Sequence, residues 1–371
     1  MLIVYRSNRA EWLANVLAEQ LRLYPPEIFQ SVEVVVSSWP TGRWLSEEIA
    51  NINGISALVR FPFPNSYFRK LVTSFLGDKD EISNEWESNN LVWHILNLLP
   101  ELLDREESAE LKKWIIEKSS SDNDIDKNKW QLAKNIANTL EEYDLYRPEI
   151  ISQWWSDSDV YDGKDNELPS NVKWQPILIK LLKDKLETEP FSIQVMRVID
   201  AIKKNTFSIE GLPSSIALFG LNSLSPLQIK LIQALSKNID IKIYLITPCK
   251  DLWQRHLNRR TNLEENFQAQ TEGKWLLNAS RLEATLGKMG SEFEQLLEGT
   301  GEYQLGASAE QDLFAMPVDI AKNNHSKPSI LEYLQQQLVI NDEFVCRDRD
   351  PLDSSIQFID CPGRRREVEI I

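Results

Sequence analysis

The chain reads as an α/β protein, a parallel-sheet domain with an all-helical domain inserted into it. Three observations carry that reading. Residues 2–13, LIVYRSNRAEWL, pass from an apolar run through a polar break at Arg6-Ser7-Asn8-Arg9 into a helical pattern of Trp12, Leu13, Val16 and Leu17. Strand and helix signals then alternate through residue 75, and β-α-β-α order implies parallel strands. From 76 to about 205 no strand-like run occurs, and the alternation resumes at Ser215.

Each element has its own local signal. Val32 to Val36 (VEVVV) is a β-branched run typical of a strand buried on both faces. It ends at Ser37-Ser38-Trp39-Pro40-Thr41-Gly42, after which Trp44, Leu45, Ile49 and Ile52 recur at helical spacing. A third extended piece, Ala57 to Phe61, runs into Pro62-Phe63-Pro64 and a helix start at Asn65 or Ser66, with Tyr67, Phe68 and Leu71 inward. Helical stretches follow at 91–103 and 130–146, and the polar segments 119–128 and 157–170 read as loops. Ser215 to Phe219 is a strand, Gly220 to Leu224 a turn, and Ser225-Pro226 a helix start with an N-cap serine and proline in the first turn. Ile239 to Ile246 is the next strand, 254–327 a polar surface excursion, and Ser355 to Ile359 a last strand before a helical start at 363–371.

Composition narrows the class. At 371 residues there is room for two or three domains, and 42% hydrophobic with 26% charged residues suits a soluble globular protein. No leader-like start and no apolar run long enough to span a bilayer is visible, so a cytoplasmic protein is expected. Cys249, Cys346 and Cys361 are odd in number and scattered, as are His94, His256 and His325, which fits neither a disulfide framework nor a metal cluster. The net charge of −15 is uneven: residues 76–170 hold 23 acidic against 10 basic residues, whereas the first 75 hold 6 against 7. The acidic block reads as a solvated helical surface, and the near-neutral start leaves phosphate binding open there.

Motor chemistry is missing. A P-loop ATPase needs a glycine-rich turn ending in Lys-Ser or Lys-Thr to cradle phosphates, and an acid at a strand end for magnesium. The first turn here has no glycine, no GxxxxGK[ST] occurs anywhere, and Phe219 is followed by Gly220-Leu221-Asn222 where the acid belongs. Asp240-Ile241-Lys242 has the local form of a nuclease acid-x-Lys pair, but 201–238 holds no Asp and only Glu210, so ordinary strand positions explain it better. No catalytic residue, metal ligand or cofactor site is expected in this chain.

A binding surface remains. Trp39, Trp44, Phe61, Phe63, Tyr67 and Phe68 lie close in sequence to Arg43, Arg60, Arg69 and Lys70. Aromatic planes for bases beside cations for phosphates are how single strands are gripped. Most of these rings also suit a core. Trp39 and Phe63 stand apart, because each lies in a proline-containing loop after a strand, where parallel sheets bind ligands.

The chain resembles the RecC family, the gamma subunit of exodeoxyribonuclease V, over its N-terminal part. The resemblance rests on MLIVYRSNRAEWL, PTGRWL (40–45), FPFPNSYF (61–68), LYRPEIISQW (145–154), LFGLNSLSPLQIKLIQAL (218–235), IKIYLITPC (241–249), DPLDSSIQF (350–358) and RREVEI (365–370), in that order. It implies an inactivated superfamily 1 helicase-like fold: 1–75 and 206–350 as two parts of a motor-like α/β domain, 76–205 as the inserted helical domain, and 351–371 as the start of a second motor-like domain. It implies a non-catalytic subunit binding DNA ends and single-stranded DNA, aiding duplex splitting and recombination-signal scanning in double-strand break repair. The expected partners are a RecB-like motor and nuclease subunit and a RecD-like motor subunit, with ATP and magnesium held by those partners. The family's strand tunnel maps here to 37–43, 63–69 and 138–147, which makes Trp39, Arg43, Phe63, Arg69 and Arg147 the candidate DNA contacts. Arg147 matches the family pattern, whereas Ser37, Trp39, Arg43 and Arg69 depart from it. The alternative is a degenerate α/β scaffold that binds protein only.

Overall fold

A computed structural model of the chain describes residues 1–26, 30–76, 85–118, 122–156, 168–204, 213, 215–250, 252, 287–298, 309–340 and 350–371. Six strands form one all-parallel sheet: β1 (Leu2–Ser7), β2 (Val32–Val36), β3 (Val59–Arg60), β4 (Ser215–Phe219), β5 (Asp240–Ile246) and β6 (Ala309–Asp312), in spatial order β3-β2-β4-β5-β1-β6. Because β4 and β5 sit between β2 and β1, the N-terminal and later segments build one sheet together.

Side chains alternate across the strands, so the sheet has a core on each face. On one face Tyr5, Val34, Val36, Phe219 and Tyr244 pack under α1 (Ala10–Leu23) and α2 (Trp39–Asn53). Tyr5 and Tyr244 stack at 5.1 Å, and both hydroxyls bond the Gln20 amide, at 2.8 and 2.7 Å. On the other face Val4, Val35, Leu218 and Ile243 meet α3 (Pro64–Leu76), α9 (Phe191–Lys203), α10 (Pro226–Leu235) and α11 (Lys288–Glu298).

Between α3 and β4 the described residues form helices and no strand. The α-helices there are α4 (Ser88–Leu103), α5 (Ala109–Glu117), α6 (Asp122–Tyr146), α7 (Pro148–Trp155) and α8 (Trp174–Lys185), gathered with neighbouring segments around a separate core that includes Leu91, Ile95, Ile136, Trp154 and Leu178. The last helix before β4, α9, turns back: Phe191, Val195, Val198 and Ile202 belong to the core of the sheet. Predicted N-caps hold where the chemistry is local. Ser225 and Gln228 form a capping box at the start of α10, worth about 1 kcal/mol.

Several expectations are corrected. The polar stretch 119–128 reads as a loop, yet α6 begins at Asp122, because packing of its later turns against α4 carries the helix back through a polar start. The strand expected at Ser355 to Ile359 is not formed: the segment is irregular, with Phe358 96% exposed, and the Ser355 hydroxyl oxygen accepts from Leu331 N of α13 (Ile330–Ile340). The excursion 254–327 contains a strand the sequence does not announce, β6, whose AEQD lacks apolar alternation and whose pairing is with β1. It also contains α11, whose Phe293 and Leu297 are buried against the sheet, and α12 (Pro317–Asn323); residues 254–286 lie outside the described ones. So do 157–167, most of the second predicted loop. The helix at the end of the chain, α14 (Arg364–Ile370), does form.

Candidate nucleic-acid interface

The turn after β1 stands where a phosphate-binding loop would be, and its polar groups are committed to the protein itself. Asn8 pairs in both directions with the backbone of Ala315, its amide donating to the carbonyl at 3.0 Å and its oxygen accepting from the N–H at 2.8 Å. Ser7 Oγ donates to the Leu313 carbonyl at 2.6 Å and accepts from Arg9 N at 3.0 Å. Beneath them Arg6, 1% exposed, donates to Asp312 at 2.9 Å and to Glu310 at 2.6 Å, and Lys250 lies 2.9 Å from Asp312. Partial burial works to raise the Asp312 carboxyl, but the Lys250 hydrogen bond and the charge and hydrogen bond of Arg6 hold it below the usual carboxylate range. Sequence reasoning missed these partners. They lie some 300 residues apart, and no local signal pairs them.

The turn after β2 is arranged the other way. Ser38 caps α2 by accepting from Thr41 N at 3.4 Å, which leaves Trp39 and Pro40 as the first helical residues, projecting from the sheet. Trp39 is 66% exposed, an unusual state for tryptophan. The Arg43 guanidinium lies 5.8 Å from its ring centroid and also meets Glu47 at 3.2 Å, one turn on. Gly42 is buried at the base of this turn, where an added Cβ would come 2.8 Å from Phe61 Cβ. The loop after β3 runs alongside: Val36 N donates to Pro62 O at 3.1 Å, and the next residue, Phe63, is 46% exposed. Trp39, Arg43 and Phe63 therefore lie after β2 and β3 at the carboxyl-terminal rim of the sheet.

That rim has a distinctive charge. The first described residues after each of the six strands, 8–10, 37–43, 61–66, 220–226, 247–250 and 313–316, contain no Asp or Glu, although Glu47 reaches Arg43 and Asp312 at the end of β6 reaches Lys250. Their cations are Arg9, Arg43 and Lys250. Strand exits poor in carboxylates, with protruding rings and an arginine, are less repulsive to a polyanion than the acidic remainder of the chain.

Arg69 and Arg147 are placed elsewhere. Arg69 points from α3 toward the helical region, only 18% of its side chain exposed, with Glu87 and Glu141 each 3.9 Å away and the Phe191 ring 4.8 Å from its guanidinium. Beside it, buried Asp144 on α6 accepts from Phe191 N and Ser192 N, both at 3.0 Å, and from the Ser192 hydroxyl, tying the start of α9 to the end of α6. Burial pushes the Asp144 carboxyl upward, against the Ser192 and Phe191 donors and the Arg69 charge. Arg147 is exposed at the α6–α7 junction, its guanidinium 5.9 Å from the Tyr143 ring, next to Tyr146 at 57% exposure. The structure thus brings together Trp39, Arg43 and Phe63; it turns Arg69 into a brace between helices and leaves Arg147 on α6's end.

Among the described residues no three His, Cys, Asp or Glu side chains converge to hold a metal ion. Asp240 of the acid-x-Lys pair lies 3.3 Å from the amino group of Met1. Among the described residues no helix is long and apolar enough to cross a membrane.

Comparison with known proteins identifies the family. The chain is 29% identical to the RecBCD enzyme subunit RecC of Escherichia coli K12 and 25% identical to that of Haemophilus influenzae, in both cases over its entire length. It is 26% identical to the RecBCD enzyme subunit RecC of Mycolicibacterium smegmatis, again over its entire length. It spans 35%, 36% and 31% of those proteins, about a third of each. The family model described as RecC, N-terminal domain, matches residues 2–341, and the chain belongs to the RecC N-terminal domain family.

Proposed function

We propose that this chain is the N-terminal, motor-like portion of a RecC-type subunit and that it handles DNA without catalysing its cleavage or hydrolysing ATP. The observation that carries the reading is the exposure of Trp39, Arg43 and Phe63 on the carboxyl-terminal rim of the sheet, where the first residues after each strand hold no Asp or Glu. In this reading the fold is an inactivated superfamily 1 helicase-like domain in two parts, 1–75 and 206–350, interrupted by the helical domain 76–205, with 351–371 opening a second motor-like domain. The internally satisfied turn at Ser7-Asn8-Arg9 supports the loss of nucleotide binding, since its side chains hold β6's exit instead of a phosphate.

Mechanistically, Trp39 and Phe63 offer planes on which unpaired bases stack, and Arg43 neutralises a phosphate while its guanidinium steadies the Trp39 ring. Arg147 extends the positive path at the end of α6. Arg69, held between Glu87 and Glu141, sets the angle of the helical domain instead of touching the strand. A RecB-like subunit would supply motor and nuclease activity and a RecD-like subunit a second motor, with ATP and magnesium bound there. The setting is a cytoplasmic complex that opens DNA ends and scans one strand for a recombination signal during double-strand break repair.

Fluorescence anisotropy of a forked duplex, at low and moderate salt, tests this with the chain alone and co-expressed with its motor subunit. Binding should weaken steeply with salt, and Trp39→Ala with Arg43→Ala should weaken it about tenfold or more. Absence of binding in both preparations would overturn the reading. It would favour a scaffold that binds protein only.

A further inference from the structure

The rim carries an amide whose orientation is dictated by the protein beneath it. Asn65 lies in the first turn of α3, exposed, two residues from Phe63. Its side-chain oxygen accepts from Gln228 Nε2 at 2.8 Å. Gln228 is 4% exposed and has no freedom to flip, because its own oxygen accepts from the backbone N–H of Ser225 at 2.9 Å in the α10 capping box. A backbone N–H can only donate, so the atom of Gln228 facing Ser225 is the oxygen. The atom facing Asn65 is then the NH2 group, and the atom of Asn65 facing Gln228 must accept. What Asn65 turns to the outside is therefore its own NH2, a donor alone.

From this relay we infer that Asn65 is a specificity-determining residue for the strand bound at the rim, a fixed donor that meets the exocyclic group at pyrimidine C4 or purine C6 and favours a keto oxygen there (thymine O4, guanine O6) over an amino group there (cytosine N4, adenine N6). The inference rests on the strand-guide reading above and adds the chemistry of the base. A stacked base brings its edge within reach of side chains around the ring on which it stacks, and Phe63 is the nearest exposed ring in sequence. An amino group meeting a fixed donor leaves both hydrogens unpaired, whereas a keto oxygen gains a bond. Ser66 Oγ donates inward to Phe63 O at 3.0 Å, and no carboxylate lies in 61–66 or 220–226, the segments on either side of the Asn65–Gln228 bond. Loss of one neutral hydrogen bond corresponds to about three- to tenfold in affinity.

The test compares oligothymidylate with oligo-5-methyldeoxycytidylate of equal length, which share the methyl group and differ at positions 3 and 4 of the ring. Anisotropy with the full chain should give about three- to tenfold tighter binding of thymidylate. Asn65→Ala should erase the ratio, and Asn65→Asp, with an acceptor facing outward, should lower both affinities and reverse it. Asn65→Ala should lower the melting midpoint modestly, because buried Gln228 Nε2 loses its acceptor, and Asn65→Asp, which keeps that acceptor, separates this loss from the effect on base preference. Equal binding of the two oligomers, or a ratio that survives Asn65→Ala, overturns the inference and leaves the strand guide standing. Failure of both oligomers to bind at low salt removes the strand guide and the inference together.

Discussion

Two strand–turn–helix units in this chain share one local plan and differ in what surrounds them. After β1, the turn Ser7-Asn8-Arg9 is sealed by Leu313 and Ala315 above the Arg6, Glu310, Asp312 and Lys250 cluster. After β2, the turn Ser37-Ser38-Trp39 is capped within itself and leaves a 66% exposed tryptophan on the rim. The first is braced from across the sheet, its Ser7 and Asn8 side chains committed to Leu313 and Ala315. The second keeps its backbone donors satisfied by Ser38 and turns its side chains outward. A strand–turn–helix unit is therefore neutral about function until the neighbouring strand is known. Here β6 closes one unit, and the short edge strand β3 leaves the other open.

Substitutions in the sealed unit should act on stability and those in the open one on binding. The largest effect is expected for Arg6→Ala, which strips two carboxylates of a buried partner. A loss of about 3 kcal/mol in urea unfolding is anticipated, at the low end for a broken buried pair because Glu310 and Asp312 stay partly solvated. Asn8→Ala should cost about 2 kcal/mol, since it leaves both backbone groups of fully buried Ala315 unpaired. If either variant is as stable as the parent, the sealed turn is not held in the way described.

Gly42→Ala, at the base of the open unit, should cost roughly 1–2 kcal/mol, because half-buried Phe61 must retreat from a Cβ 2.8 Å away. It should also disturb strand binding, through the displaced Phe61–Phe63 loop. Trp39→Ala should change stability by less than about 0.5 kcal/mol while lowering DNA affinity. A large loss of stability there would mean that the ring is packed rather than presented.

Acid titration separates the two units as well. Asp312 has a folded pKa below its unfolded one, so its contribution is complete above the ordinary carboxylate range, about pH 4, and is lost as pH falls through the folded value. Arg6→Ala should flatten that part of the acid limb of stability against pH, whereas Trp39→Ala should leave it unaltered. Urea midpoints measured from pH 6 downward would show the difference. An unchanged acid limb in Arg6→Ala would separate Asp312 from the arginine.

Much of the fold could be read from local pattern. The β-branched run of β2, the apolar β4 and β5, and the Ser225-Pro226 helix start all declare themselves within a few residues. Trp39 and Phe63 could be singled out because prolines beside them mark loops after strands. Arg69 could not be sorted from Arg43 in that way. Both adjoin an aromatic residue, Trp44 or Phe68, in a near-neutral stretch, and only the packing of α3 against the inserted helices turns Arg69 toward Glu87 and Glu141.

The sequence by itself determined the alternation of strand and helix, the helical interruption, the absence of a phosphate loop and the aromatic rim candidates. Each of these is set by residues near one another along the chain, through periodicity, capping and turn chemistry. Only the tertiary structure decided that polar AEQD is a strand, that Ser355 to Ile359 is not, and that the first turn is sealed by residues some 300 positions away. It alone oriented Asn65, through a buried glutamine on another helix. A hydrogen bond or ion pair between distant segments leaves no periodic trace in either one. Its partners are chosen when the sheet brings β1 beside β6 and the start of α3 beside the start of α10.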